Sequence, residues 1–130
     1  MADITFLDAS ALVKLLLHEP ESNALIDYLD GRTSVEASEL CITEVGLAVR
    51  RAFPDGDETE ALAGVVLHKV TADLLRKAAR LTPTRLRALD AIHLATALSL
   101  GVDDTSLVTY DARLADAARS HGLRVVQPGR

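Results

Sequence analysis

Short apolar runs alternate with segments of helical spacing along the chain, and this alternation constrains the fold more than any other feature. The clearest runs are ITFL at Ile4–Leu7 and the β-branched VVLHKV at residues 65–70. Strands that alternate with helices indicate an α/β fold with a mainly parallel central β-sheet flanked by α-helices. The predicted strands are residues 4–7, 34–37, 65–70, 106–109 and 123–126. The predicted helices are residues 9–17, 20–29, 43–53, 57–63, 71–81, 89–100 and 111–121.

The length and composition fit one globular domain. The chain has 130 residues, of which 48% are hydrophobic and 25% are charged, so we expect a single domain over residues 1–130. Cys41 is the single cysteine, which excludes a disulfide within the chain. The sequence has no apolar run of the roughly 18 residues that a membrane span needs, and no secretory signal is visible. A cytoplasmic location without membrane contact is therefore expected.

Charged side chains are distributed unevenly. Residues 1–60 carry four basic and thirteen acidic side chains, whereas residues 61–101 carry six basic and two acidic ones. The net charge of −5 argues against a protein that coats nucleic acid by bulk attraction. The basic residues between Arg76 and Arg87 form either a solvated helix face or a local phosphate-binding patch.

Two acids follow predicted strands. Asp8 ends the first strand, and Asp111 lies just past the strand that contains Leu107 and Val108. Ligands bind outside the carboxyl ends of the strands in sheets of this kind. We therefore expect Asp8 and Asp111 to lie near each other at one edge of the sheet.

Two further acids interrupt apolar surroundings. Glu44 opens the predicted helix TEVGLAV, and Asp90 lies within LRALDAIHLATALSL. A carboxylate buried in such a segment needs a partner, a helix end or a cation. Helix capping could explain Asp8, Asp90 or Asp111 singly, and Glu44 could be an ordinary first-turn acid, but capping does not explain their convergence.

Carboxylates that share a pocket repel each other, and divalent cations remove that repulsion. Ligation by oxygen alone suits Mg²⁺ or Mn²⁺. A softer metal is not expected, because the four histidines show no ligand spacing with Cys41. His93 follows Asp90 by one helical turn and is expected to pack or form a hydrogen bond rather than bind metal.

Four segments in order carry a family resemblance. They are FLDASALVKLLLHE at residues 6–19, SELCITEVGLAVRR at 38–51, LRALDAIHLATAL at 86–98 and LVTYDARLADAARSHGLRVV at 107–126. Together they cover nearly the whole chain, and the third is the most specific. The sequence resembles PIN-domain ribonucleases, and specifically the VapC-type toxins of type II toxin–antitoxin (VapBC) pairs. The resemblance implies a PIN-like fold.

The resemblance also implies a site and an activity. The acidic metal-binding and catalytic set of the family falls on Asp8, Glu44, Asp90 and Asp111, with Asp8 and Asp90 as direct ligands and the other two binding directly or through water. Ser10 and Thr109 match small hydroxyl positions beside the site, and Asp116 is a less fitting substitute for Asp111. The implied activity is hydrolysis of RNA phosphodiester bonds with Mg²⁺, for which Mn²⁺ could substitute.

Partners follow from the same resemblance. A VapB-like antitoxin would neutralise the toxin, and a homodimer or a toxin–antitoxin hetero-oligomer is expected. Arg85 and Arg87 are candidates for RNA contacts because they lie close to Asp90 in sequence. The chain has only two Phe and two Tyr, so aromatic stacking on bases can contribute little.

Three other functions remain open at this stage. A receiver-type Mg²⁺-binding phosphoacceptor domain would need a lysine near the end, but none follows Lys77. A haloacid-dehalogenase-type phosphatase would need a second Asp two residues after Asp8, where Ser10 stands. A PIN module that binds RNA or protein without catalysis is the third, and metal-dependent cleavage would distinguish it.

Overall fold

The computed structural model describes residues 3–130 and has a five-stranded, all-parallel β-sheet at its centre. The strands lie in the order β3-β2-β1-β4-β5, so the predicted α/β architecture with a mainly parallel sheet is confirmed. The strand bounds are β1 Ile4–Leu7, β2 Ser34–Ser38, β3 Val66–His68, β4 Thr105–Val108 and β5 Arg124–Val126. The helix bounds are α1 Ala9–Val13, α2 Ser22–Leu29, α3 Leu40–Ala52, α4 Thr59–Leu62, α5 Ala72–Ala79, α6 Ala88–Ser99 and α7 Ala112–Ser120.

The strand order creates one crevice at the carboxyl edge of the sheet. The chain leaves β1 towards β2 and β3 on one side, and the later strands β4 and β5 lie on the other. Leu7 pairs with Ala37 of β2 and with Val108 of β4, so β1 and β4 end level with each other. Ligand sites in open α/β sheets lie at such a reversal of strand order. The residues that follow β1 and β4 therefore occupy the place where a ligand site is expected.

Apolar side chains cover both faces of the sheet. Leu7 and Val108 point to a core shared with α1 and α3, which contribute Leu12 and Val45. The neighbouring strand residues belong to a second core with α6 and α7, built around Phe6, Leu94, Leu107 and Leu114. Because both faces are buried, β1 is mostly apolar, as is typical of parallel sheets, whereas β4 begins with the buried polar residues Thr105 and Ser106. This packing holds the ends of β1 and β4 in fixed positions.

Two helices differ from the prediction in ways that affect the site. The helix predicted over residues 9–17 ends at Val13, because the amides of Lys14, Leu15 and Leu16 donate to carbonyl groups three residues back. The helix predicted from residue 43 begins at Leu40, whose amide donates to Ser38 Oγ at 3.1 Å. The expectation that Glu44 opens this helix was wrong, since it lies in the second turn. Among residues 3–130, no helix is long and apolar enough to cross a membrane.

Candidate functional site

Asp8 follows β1 directly and lies at the bottom of the crevice. Only 4% of its surface is exposed, and its Oδ1 accepts a hydrogen bond from the Ala11 amide at 3.2 Å, which caps α1. Burial raises the pKa of the Asp8 carboxyl above its ordinary value, while hydrogen bonds from Ser10 and Thr109 act in the opposite direction. Asp8 is therefore a buried carboxylate whose negative charge the protein compensates only in part.

Ser10 and Thr109 join the loops that follow β1 and β4. Ser10 Oγ donates to Asp8 Oδ1 and Thr109 Oγ1 donates to Asp8 Oδ2, both at 2.7 Å. Each hydroxyl oxygen also accepts a backbone amide, from Tyr110 at 3.0 Å and from Asp111 at 3.1 Å respectively. The two residues predicted to flank the site thus orient the Asp8 carboxylate through both of its oxygens.

Asp111 begins α7 on the other side of the crevice. Its Oδ1 accepts the amides of Arg113 at 2.8 Å and Leu114 at 3.2 Å, so it caps the helix. The capping interpretation is correct for Asp8 and Asp111, which also lie together at the edge of the sheet as predicted. It was wrong for Asp90, because α6 begins after Arg87 and Asp90 lies in its first turn.

The carboxyl group of Asp90 is affected by the negative charges of all three other acids. Burial raises the pKa of its carboxyl, and the negative charges of Asp111, Asp8 and Glu44 raise it further, against an opposite effect of His93. The structure therefore brings the four acids predicted from the sequence into one electrostatic cluster.

Glu44 enters this cluster from α3 and is held by a histidine of α6. His93 Nε2 lies 2.6 Å from Glu44 Oε1, and the His93 side chain is only 2% exposed. Within residues 3–130, His93 Nδ1 has no hydrogen-bond partner, so the bond to Glu44 is the one hydrogen bond that the ring makes there. Burial opposes protonation of His93, but the bond to Glu44 and the charges of Glu44, Asp8 and Asp90 outweigh it and raise its pKa. The expectation that His93 forms a hydrogen bond agrees with this geometry.

Cys41 lies unexpectedly close to the same pair. Ligand atoms of Cys41, Glu44 and His93 lie within 4.8 Å of one another, although their sequence spacing gave no sign of it. Burial, with the charges of Glu44 and Asp8, raises the pKa of the Cys41 thiol. Burial and these charges therefore favour the neutral form of the thiol when no metal is bound.

The donor set fits a hard divalent cation. Four carboxylates from α1, α3, α6 and α7 or their caps would offer oxygen ligands to such a cation, and two of them have a raised pKa. A cation among them would relieve both the buried charge of Asp8 and the repulsion on Asp90. Asp116 does not join them: its side chain is 82% exposed and lies 3.5 Å from Arg119.

A cavity of about 550 Å³ opens beside Asp90. Arg85 and Arg87, which the sequence singled out for their nearness to Asp90, both line it. Arg113 of α7 lines it as well and was missed by the sequence reasoning. A signal existed in retrospect, because Arg113 lies two residues after Asp111.

The chain is an open α/β protein with an all-parallel sheet, and its acidic cluster lies where the strand order reverses. The PIN domain family matches residues 5–120. Two curated relatives from Mycobacterium tuberculosis are similar over 95% of this chain and 96% of their own length: Ribonuclease VapC46 at 46% identity and Ribonuclease VapC35 at 44%. The chain therefore belongs to the PIN domain family, and within it to the VapC group.

Solved structures agree with the fold. The crystal structure of M. tuberculosis VapC20, described as a Sarcin-Ricin loop cleaving toxin, matches with a TM-score of 0.75 at 19% identity, over 95% of this chain and 99% of that chain. The structure of FitAB bound to an IR36 DNA fragment matches with a TM-score of 0.69 at 17% identity, over 98% and 96%. The predicted PIN-like fold is thereby confirmed.

Proposed function

We propose that this chain is a Mg²⁺-dependent endoribonuclease toxin of a type II toxin–antitoxin pair. It hydrolyses RNA phosphodiester bonds at a site formed by Asp8, Glu44, Asp90 and Asp111. The observation that carries the proposal is the meeting of the four acids at the carboxyl edge of the sheet, where a divalent cation would relieve the repulsion that raises the pKa of Asp90. The relatives named Ribonuclease VapC support the activity.

Asp8 and Asp90 are the direct metal ligands in this proposal, and Asp111 and Glu44 complete the set directly or through water. Asp111 uses Oδ1 for its two amides, which leaves its second oxygen for the cation. When bound, Mg²⁺ or Mn²⁺ supplies charge neutralisation at the phosphate and lowers the pKa of water. Ser10 and Thr109 keep the Asp8 carboxylate in one orientation, and His93 does the same for Glu44. Arg85 and Arg87 contact RNA phosphates at the rim.

A VapB-like antitoxin is the proposed neutralising partner, in a homodimer or a toxin–antitoxin hetero-oligomer. We also propose that residues 1–130 form one domain, in the cytoplasm. The family match over residues 5–120 and the single sheet from Ile4 to Val126 support the one-domain assignment.

Cleavage of total cellular RNA by the purified protein tests the activity. Reactions with Mg²⁺, with Mn²⁺ and with EDTA are run beside Asp8→Asn, which removes one charge while keeping an oxygen that can cap α1. We expect discrete fragments with either metal, and none with EDTA or with the variant. Metal binding by calorimetry without any cleavage would contradict the ribonuclease and favour a PIN module that binds without catalysis.

A further inference from the structure

The four residues after β5 have the sequence QPGR, and their side chains contact the loop on which Asp111 stands. We propose that this segment, residues 127–130, is a positioning element of the metal site and holds the loop of residues 109–111 in place relative to Asp8. The segment is called the QPGR turn below. The inference deepens the proposed function, on which it rests, and it gives positioning roles to Gln127 and Arg130.

The sequence of the segment favours a tight turn. Proline is preferred at the second position of a β-turn, and glycine at the third position of the type that needs a positive φ there. Pro128 and Gly129 occupy these positions, and Gly129 has a φ of 79° to 89° in its class, its own value being 89°. The Arg130 amide donates to the Gln127 carbonyl at 3.0 Å and closes the turn. A Cβ atom on Gly129 would lie 3.2 Å from Glu21 Cα, so the turn also packs closely against the start of α2.

Two side chains of the QPGR turn bind two successive carbonyl groups of the loop. Because β5 pairs with β4 in parallel, the residue after β5 lies beside the residue after β4. Gln127 Nε2 donates to the Thr109 carbonyl at 2.9 Å. Arg130 Nη1 donates to the Tyr110 carbonyl at 3.2 Å. The turn therefore supplies hydrogen-bond donors to the backbone that directly precedes Asp111.

The amides of the same loop are bound by the two hydroxyl groups of the site. Ser10 Oγ accepts the Tyr110 amide at 3.0 Å, and Thr109 Oγ1 accepts the Asp111 amide at 3.1 Å. Both hydroxyl groups donate to the Asp8 carboxylate. Buried backbone groups need partners, so the loop position that satisfies both its amides and its carbonyls is favoured over others. The position of Asp111 relative to Asp8 thus depends on both sets of bonds.

Tyr110 and Glu21 hold the QPGR turn in return. The Tyr110 side chain is buried, and its hydroxyl donates to the Pro128 carbonyl at 2.8 Å. Arg130 Nε donates to Glu21 Oε2 at 2.8 Å, while Nη1 of the same side chain binds the loop. The several donors of one planar guanidinium allow both bonds at once. Arg130 therefore joins the loop to the segment before α2, and a displaced turn would displace the loop.

Metal affinity depends on how well the ligands are held in place before the ion binds. Asp111 uses Oδ1 for the amides of Arg113 and Leu114, so its second oxygen reaches a cation only if the backbone beneath it is in the right place. Groups that support metal ligands typically contribute 10- to 100-fold to metal affinity or activity. The QPGR turn acts on Asp111 through the backbone rather than through its carboxylate. We therefore expect an effect at the lower end of that range.

The test compares metal binding by two variants of the full chain. Gln127→Met combined with Arg130→Met keeps long side chains and removes their donors. Arg119→Met is the matched control, because Arg119 is 52% exposed where Arg130 is 48%, and each forms one salt bridge. Calorimetry with Mg²⁺ and with Mn²⁺ should show binding about tenfold weaker for the double variant. Arg119→Met should bind both metals as the unmodified chain does.

Thermal unfolding establishes that each variant is folded at the temperature of the assay. If the double variant is not, the single variant Gln127→Met is measured, in which Arg130 still holds the turn, and its metal affinity should fall in the same direction. RNA cleavage gives a second readout. Saturating Mg²⁺ should restore most of the cleavage rate, because a displaced ligand raises the metal requirement without removing the other acids.

Unchanged metal affinity in a folded variant, even one that unfolds at a lower temperature, would overturn the proposal and leave the QPGR turn a purely structural role. An equal loss of affinity in Arg119→Met would also overturn it. Absence of metal binding by the unmodified chain would overturn both the turn and the metal site. Because metal binding is measured without RNA, weaker binding by the variant of a chain that does not cleave RNA would support the turn and contradict the ribonuclease alone.

Discussion

Asp90 illustrates how single residues carry the chemistry of the site. Its charge is opposed first by burial and then by Asp111, Asp8 and Glu44, and it is not needed to cap α6. A residue that is electrostatically unfavourable and has no capping role is difficult to explain by stability alone. The cation that we propose the four acids share would account for its surroundings.

Replacing Asp90 with Asn should reduce cleavage without reducing the thermal stability of the metal-free protein. We expect cleavage to fall by at least about 100-fold, the scale on which single electrostatic contributions to catalysis are measured. The metal-free variant should unfold at the same or a higher temperature, because the repulsion on residue 90 is relieved. Thermal unfolding with EDTA measures this, with exposed Asp103→Asn as the control. A large loss of thermal stability would instead give Asp90 a structural role.

His93 should act on the site through Glu44. His93→Leu removes the bond of 2.6 Å, and partners of metal ligands typically contribute 10- to 100-fold to metal affinity or activity. We expect the Mg²⁺ concentration for half-maximal cleavage to rise about tenfold. His93→Gln, whose amide can reach Glu44, should recover part of the loss. If Leu and Gln variants have the same Mg²⁺ requirement, His93 only fills space.

At the scale of secondary-structure elements, the site depends on hydrogen bonds between the loops that follow β1 and β4. Ser10 and Thr109 each donate to Asp8 and accept an amide from the opposite loop or from their own. Thr109 is fully buried, so its hydroxyl has no access to solvent if a partner is lost. The hydrogen bonds from the Ser10 and Thr109 hydroxyls therefore stabilise the contact between the two loops and orient Asp8, a proposed metal ligand.

Thr109→Val should weaken both fold and activity. It removes the hydrogen bond to Asp8 Oδ2 and the acceptor of the Asp111 amide, so the free energy of unfolding should fall by about 1–3 kcal/mol. Denaturant unfolding measures the loss, and Thr109→Ser should restore most of it. Thr71→Ala is the control, because it removes the cap of α5 at a cost of about 1 kcal/mol and should leave cleavage intact. Equal cleavage by both variants would contradict the role of Thr109.

The sequence predicts those parts of the site that depend on local pattern. Asp8 and Asp111 could be placed together because each follows a recognisable strand, and parallel strands end at a common edge. The bond between His93 and Glu44 joins residues 49 positions apart and depends on how α6 packs near α3, which periodicity does not encode. Arg113 was missed because an exposed arginine on a helix is ordinary until a cavity is seen beside it.

At the scale of the whole molecule, the segment between α1 and α2 meets the chain after β5 beside the site. Glu21 accepts Lys14 Nζ at 2.9 Å and Arg130 Nε at 2.8 Å, and both basic groups lie over the ring of Tyr110. The hydrogen bonds from Lys14 and Arg130 lower the pKa of Glu21 to about 2. This cluster joins the segment before α2 to the chain after β5.

The cluster gives stability a defined dependence on pH. Because the pKa of Glu21 is lower in the folded protein than its ordinary 4.5, its stabilising contribution is present above pH 4.5 and is lost as the pH falls towards 2. Thermal unfolding of Glu21→Gln and the unmodified chain, followed across this range, should differ most at its upper end. A difference that stays constant down to about pH 2.5 would mean that the ionised form of Glu21 contributes nothing.

The pairing of β1 with β4 has a consequence for synthesis on the ribosome. Asp8 and Thr109 touch at 2.7 Å although 101 positions separate them. In a nascent chain, Asp8 leaves the ribosome long before β4 does. Until β4 and the loop after it have emerged, Asp8 has neither Thr109 nor Asp111 beside it. The proposed nuclease centre thus cannot assemble until the segment that carries Thr109 and Asp111 has been synthesised. If the protein cleaves RNA as proposed, translation itself delays that activity until most of the chain is complete.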